Sequence, residues 1–132
     1  MERKLYTIAD RTFYQDELVF GQEVWLRDHV FRGKAVTALS SGQLMAMLQR
    51  DGMTFLSIIL IEDGKTQADK VKAGWDAVCE LNEWLNANVR PREVMEYVQD
   101  FFGVNPATNL WLLADATVLN HEEIGLPSVL SS

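Results

Sequence analysis

Apolar residues recur at helical spacing along most of this chain, most clearly over residues 89–105. There Val94, Tyr97, Val98 and Phe101 keep the 3.6-residue period, and Met95 and Phe102 widen the stripe. Arg92, Glu93, Glu96, Gln99 and Asp100 fall largely on the other side. Pro91 suits the first helical position and Glu93 the first turn, where the helix dipole favours negative charge. Gly103 is suited to the left-handed residue that closes a helix, with Val104 making the accompanying apolar contact. Two adjacent phenylalanines on one amphipathic helix need cover from the elements on either side.

Upstream, residues 4–9 and 12–15 alternate in the manner of two short strands, with Tyr6 and Ile8 on one face. The link through Asp10 and Arg11 carries no glycine. A two-stranded hairpin is marginal alone and must lean on a helix. Asp16 is the expected N-cap of a helix to about Arg32, with Phe20, Val24 and Phe31 in one row and Val19, Leu26 and Val30 in the next. Gly21 inside it costs about 1 kcal/mol against alanine, and Gly33 is the expected stop. Ser40 and Gln43 form a capping box for a helix carrying Leu44, Met45, Met47 and Leu48, interrupted at Asp51 and Gly52. Residues 53–61 suit a buried strand or a buried helix; helix is the reading adopted, because no neighbouring strand is evident as a partner.

After a turn at residues 62–64, Thr66 and Asp69 cap a helix expected to reach about Asn88, with Val71, Trp75, Val78, Leu81 and Leu85 along its face and Trp84 widening it. Asn105 and Pro106 open a last helix to about Leu119, with Leu110, Trp111, Leu113, Ala114 and Val118. Residues 120–132 lose the period, contain Pro127 and read as a mobile tail. The expectation is one mainly α domain over residues 1–119, of five or six helices with a small N-terminal β-hairpin at about residues 4–15. Short connections make successive helices antiparallel neighbours.

A chain of 132 residues with 48% apolar residues can hold one core without metal or disulfide staples. The net charge is −7, and nearly all of it lies in residues 67–132. That distribution argues against nucleic acid or an anionic membrane as partner, since both are recognised through clustered Lys and Arg. Cys79 is the only cysteine. The N-terminus has no apolar signal core, and the longest apolar run, residues 55–61, is too short for a bilayer. The expected location is the cytoplasm.

Candidate chemistry is sparse. His29 and His121 are the only histidines, and His121-Glu122 begins an H-E-x-x-H pattern whose fifth position is Gly125, so neither a metal nor a metalloprotease site is expected. His29 reads as a polar residue beside the apolar stripe of its helix. Cys79 reads as a small buried hydrophobe beside Val78. Gly42, Gly52 and Gly64 are isolated and form no phosphate loop, and no cofactor is expected. The pairs Glu80/Glu83 and Glu122/Glu123 read as solvated faces, so the chain is expected not to be an enzyme. The aromatic set is richer. Trp75, Phe101 and Trp111 read as core. Trp25, Trp84 and Phe102, with Met45, Met47 and Met53, suit core and partner surface equally, because Trp is enriched at interface hot spots and methionine adapts to varied partners. The candidate partner-binding groove is Trp25, Met45, Met47, Trp84 and Phe102.

Four stretches in order carry a resemblance: a Tyr-containing hairpin, residues 18–26 (LVFGQEVWL), residues 52–64 (GMTFLSIILIEDG) and residues 94–105 (VMEYVQDFFGVN). Together they resemble the small tail assembly chaperones of long-tailed bacteriophages and prophages. In that family a hairpin precedes a helical domain, and a segment ending Asp-Phe-Phe-x-x-Asn, matched here by Asp100, Phe101, Phe102 and Asn105, precedes a last helix. The resemblance spans about residues 4–119. It implies a non-enzymatic chaperone that shields the long helical tape measure protein, presents it to tail tube subunits and is absent from the finished particle. Homo-oligomerisation is compatible with this. Two other classes stay open: a small acidic inhibitor or immunity-type protein that binds a basic partner, and an enzyme subunit completing its site across an oligomer interface.

Overall fold

The computed structural model describes residues 3–32 and 40–105. Within them the protein is mainly helical, with five α-helices and a small antiparallel sheet. The strands are β1 (Tyr6–Ile8), β2 (Arg11–Tyr14) and β3 (Ile61–Glu62); the helices are α1 (Phe20–Leu26), α2 (Ser41–Ile59), α3 (Gln67–Ala73), α4 (Trp75–Asn88) and α5 (Pro91–Val104). No described helix is long and apolar enough to cross a membrane.

The hairpin forms as the alternation requires, with Tyr6 opposite Phe13 and Ile8 opposite Arg11. Ala9 takes φ 54° to close the two-residue turn, a cost borne without glycine because both strands are anchored beyond the turn. The sheet has a third strand that pattern reading did not find. The apolar run stays helical to Ile59, Leu60 turns extended at ψ 135°, and Ile61 then pairs with Tyr14 and Glu62 with Phe13. Its partner is β2, the second strand of the expected hairpin; β3 itself, at two residues, is too short to show an alternation in sequence. Phe13, Leu60 and Ile61 are buried where the sheet meets the helices.

The first helix differs from its expectation at both ends. Asp16 is not its N-cap; its carboxylate accepts from the adjacent Glu17 N–H at 3.1 Å and lies 3.6 Å from the Arg3 guanidinium. The lead-in is held extended instead, because the Leu18 N–H donates to Asn105 Oδ1 and the Glu17 carbonyl accepts from Gln67. The helix starts at Phe20, continues as a π-helical turn over Arg27–Phe31, and ends on Arg32 in the left-handed conformation. That turn puts both Val30 and Phe31 into the core. Gly33, the expected stop, lies outside the described residues.

The Ser40–Gln43 capping box is present, with both reciprocal bonds made. The expected interruption at Asp51 is a kink rather than an end: Asp51 leaves helical geometry at φ −121°, and the helix resumes. The helix expected from Thr66 to Asn88 is two helices. Its cap is as expected, but Gly74 at φ +88° breaks it, and α3 and α4 meet there. Pro91 opens α5, with Glu93 accepting from the Arg90 N–H at 2.8 Å. Gly103, however, stays inside the helix, which runs to Val104 and ends with Asn105. The helix expected after Pro106, the tail at 120–132, Trp111 and His121 lie outside the described residues.

The core lies between α2, α4, α5 and one face of the sheet. A relay of phenylalanines crosses it: Phe31 meets Phe55 edge-on at 6.3 Å, Phe55 meets Phe101 at 4.9 Å, and Phe101 meets Phe102 at 5.1 Å. Edge-to-face pairs at such distances add roughly 0.5–1.5 kcal/mol each beyond burial.

Candidate functional site

Asp100, Phe101 and Asn105, three of the residues that carried the resemblance, lie at one joint. Asp100 Oδ2 accepts from Tyr6 Oη at 2.9 Å and from Lys4 Nζ at 2.8 Å, so α5 is tied to β1. Gln15 Nε2 donates to Tyr6 Oη and to the Tyr97 carbonyl, closing the network from β2. Phe101 is fully buried, and Asn105, 1% exposed, holds the Leu18 N–H at 2.8 Å. Burial, then the Asp100 hydrogen bond, pushes the Tyr6 phenol up to about 12. Burial, then the charges of Glu93 and Glu96, does the same to Tyr97. The Lys4 ammonium is held above its usual range by its hydrogen bonds to Asp100 and Glu96.

A second polar hub is Gln22, fully buried on α1. Its Nε2 donates to the Ile58 carbonyl at the end of α2, and its Oε1 accepts from the Val19 N–H and from Gln67 on α3. A helix end buried without such a partner would leave a carbonyl unpaired. Next to it, Glu23 is buried with Oε1 unpartnered among the described residues, and burial raises its carboxyl above the usual range.

The five expected partner-binding residues are placed apart. Met45 is 42% exposed, whereas Met47 is buried in the core beside Val30 and Phe31. Trp25 and Trp84 are partly buried. The first packs on Trp75 at 5.8 Å, the second on Phe13 at 5.8 Å and over the Arg11 guanidinium at 4.4 Å. Phe102 is partly buried against Phe101. Trp75 and Trp84 stand nine residues apart on α4, roughly 14 Å along its axis. The tryptophans therefore belong to two neighbourhoods and not to one groove. Trp75 is itself only partly buried, with His29 stacked on it at 3.8 Å. Cys79, expected in the core, faces solvent, because Val78 takes the inward position of that turn.

A cleft of about 290 Å³ lies between the β2–β3 edge, α3 and α4. Phe13, Leu60, Ile61, Val78 and Leu81 give it apolar walls, and Arg11, Glu62, Lys65, Asp69 and Lys70 bring charge to it. Arg11 grips Glu62 through two bonds of 2.9 and 3.1 Å, which holds the carboxyl below its usual range. Pattern reading missed this cleft because β3 was not foreseen and α3 and α4 were merged.

Comparison with known protein families, with curated proteins and with solved structures finds no match to this chain.

Proposed function

We propose that this chain is a non-enzymatic assembly chaperone of the kind that serves long-tailed phages and prophages, acting in the bacterial cytoplasm. In this reading it holds the helical tape measure protein and delivers it to tail tube subunits. The observation that carries it is the joint at Asp100, Phe101 and Asn105. Three of the residues on which the resemblance rests, Asp100, Phe101 and Asn105, lie where the hairpin and the α1 lead-in join α5. The step from fold to role is by analogy. Exposed large apolar side chains support it, with Phe20 60% and Met45 42% exposed on α1 and α2. Trp25, Trp84 and Phe102 keep part of their surface open, while Met47 supports from within.

The test is affinity capture of the tagged chain from its host during phage or prophage induction, with Met45→Glu in parallel. The expected eluate holds a very long helical protein or a tail tube subunit, depleted by the variant while its circular dichroism is unchanged. A single basic enzyme in their place overturns the reading in favour of an acidic inhibitor.

A further inference from the structure

The cleft between the sheet edge and α3–α4 has a charge imbalance opposite to that of the whole chain. Glu62 is shared by Arg11 at 2.9 Å and Lys65 at 3.8 Å, and Asp69 is engaged in capping, accepting from the Thr66 N–H at 2.9 Å. Lys70 is left partly buried, with no ion pair or side-chain hydrogen bond among the described residues. A partly buried ammonium without a side-chain partner loses part of its hydration, and an entering anion offsets that loss. Consistently, burial, with the Lys65 charge second, pushes Lys70 down to about 8.

We propose that this cleft binds a small monocarboxylate with a short apolar tail, its carboxylate paired to the Lys70 ammonium and its tail lying against Ala73, Ala77 and Leu81, the apolar lining residues that keep accessible surface. A single charge matches a single uncompensated cation; a phosphate dianion would bring a second charge against an apolar wall. The volume, about 290 Å³, stands at the small end of ligand pockets and fits a short tail. The site is independent of the chaperone role.

The experiment is amide NMR of the full chain titrated with hexanoate, with hexylamine (same tail, opposite charge) and with acetate (no tail). Hexanoate is expected to shift Ala73, Ala77 and Leu81 saturably with a Kd on the order of millimolar, and the two controls to bind at least about tenfold more weakly. Lys70→Met should weaken hexanoate about tenfold or more, and Lys70→Arg should keep most of the affinity by keeping the charge. Hexylamine or acetate matching hexanoate, no saturable shift at these amides, or undiminished binding to a folded Lys70→Met variant would each overturn the proposal. The three-ligand comparison on the unaltered protein decides the matter even where a variant fails to fold.

Discussion

Tyr6 Oη donates to Asp100 Oδ2 at 2.9 Å, joining residues 94 positions apart. A hairpin this short has little stability of its own, so this bond and its neighbours decide whether β1 stays on α5. Tyr6→Phe should cost about 1.5–3 kcal/mol, the range for a hydrogen bond to a charged acceptor. Combined with Asp100→Asn in a double-mutant cycle, it should show a coupling of at least about 0.5 kcal/mol by denaturant unfolding. Additive losses would mean that the pair does not act together.

The same two-tyrosine region sets an alkaline limit. The Tyr6 and Tyr97 phenols are raised in the folded chain from 10.0 to about 12. The folded state therefore favours the neutral phenol, and this contribution is complete below pH 10 and lost as pH rises through about 12. Phenolate absorbance followed against circular dichroism should show these two tyrosines ionising together with loss of structure. Ionisation of both near pH 10 in a folded chain would contradict it.

Asn105→Ala removes the acceptor of the Leu18 N–H in a nearly closed site. The expected loss is about 1–3 kcal/mol, the cost of leaving a buried donor unpaired. Hydrogen exchange at the Leu18 amide should accelerate more than at the core of α4. A uniform change across both would instead mark a global effect.

Gly74 and Gly103 should answer alanine oppositely. Gly74 sits at φ +88°, where a side chain is strained, so Gly74→Ala should cost about 1–3 kcal/mol. Gly103 lies within α5, where an added Cβ meets nothing within 4 Å, so Gly103→Ala should stabilise by about 0.5–1 kcal/mol. Thermal unfolding of both variants is sufficient, and a loss at Gly103 would restore the left-handed turn expected of it.

Lys70→Met should stabilise the chain at pH 7. The folded state lowers Lys70 from 10.5 to about 8, so the unfolded chain binds more protons between those values and stability rises with pH across them. Below about 8 the whole penalty is present, on the order of 1–3 kcal/mol, and methionine removes it while keeping the stem. The advantage should fade as pH rises from about 8 and be gone by about 10.5 in urea midpoints measured across the range.

Wherever the deciding forces are local, the sequence was sufficient. The Ser40–Gln43 and Thr66–Asp69 boxes, Pro91 at the head of α5, the Tyr6/Ile8 alternation and the inward row of Tyr97, Val98 and Phe101 all act within a few residues. Spacing alone therefore specifies them, and with them a mainly α domain led by a hairpin. Tertiary structure decided what depends on distant partners. Asn105 and Gln67 hold the residues before Phe20 extended and so displace Asp16 as a cap. The exposed edge of β2 turns Ile61 and Glu62 into a third strand. Gly21 sits under Val71 with only 3.0 Å for an added Cβ, so what reads as a helix weakness is the close approach of α1 to α3. The site follows the same division. The residue types for an adaptable surface were legible, but their separation into two neighbourhoods, and the placing of Lys70 in its cleft with no partner among the described residues, arise only once the sheet edge and the break at Gly74 bring remote side chains together.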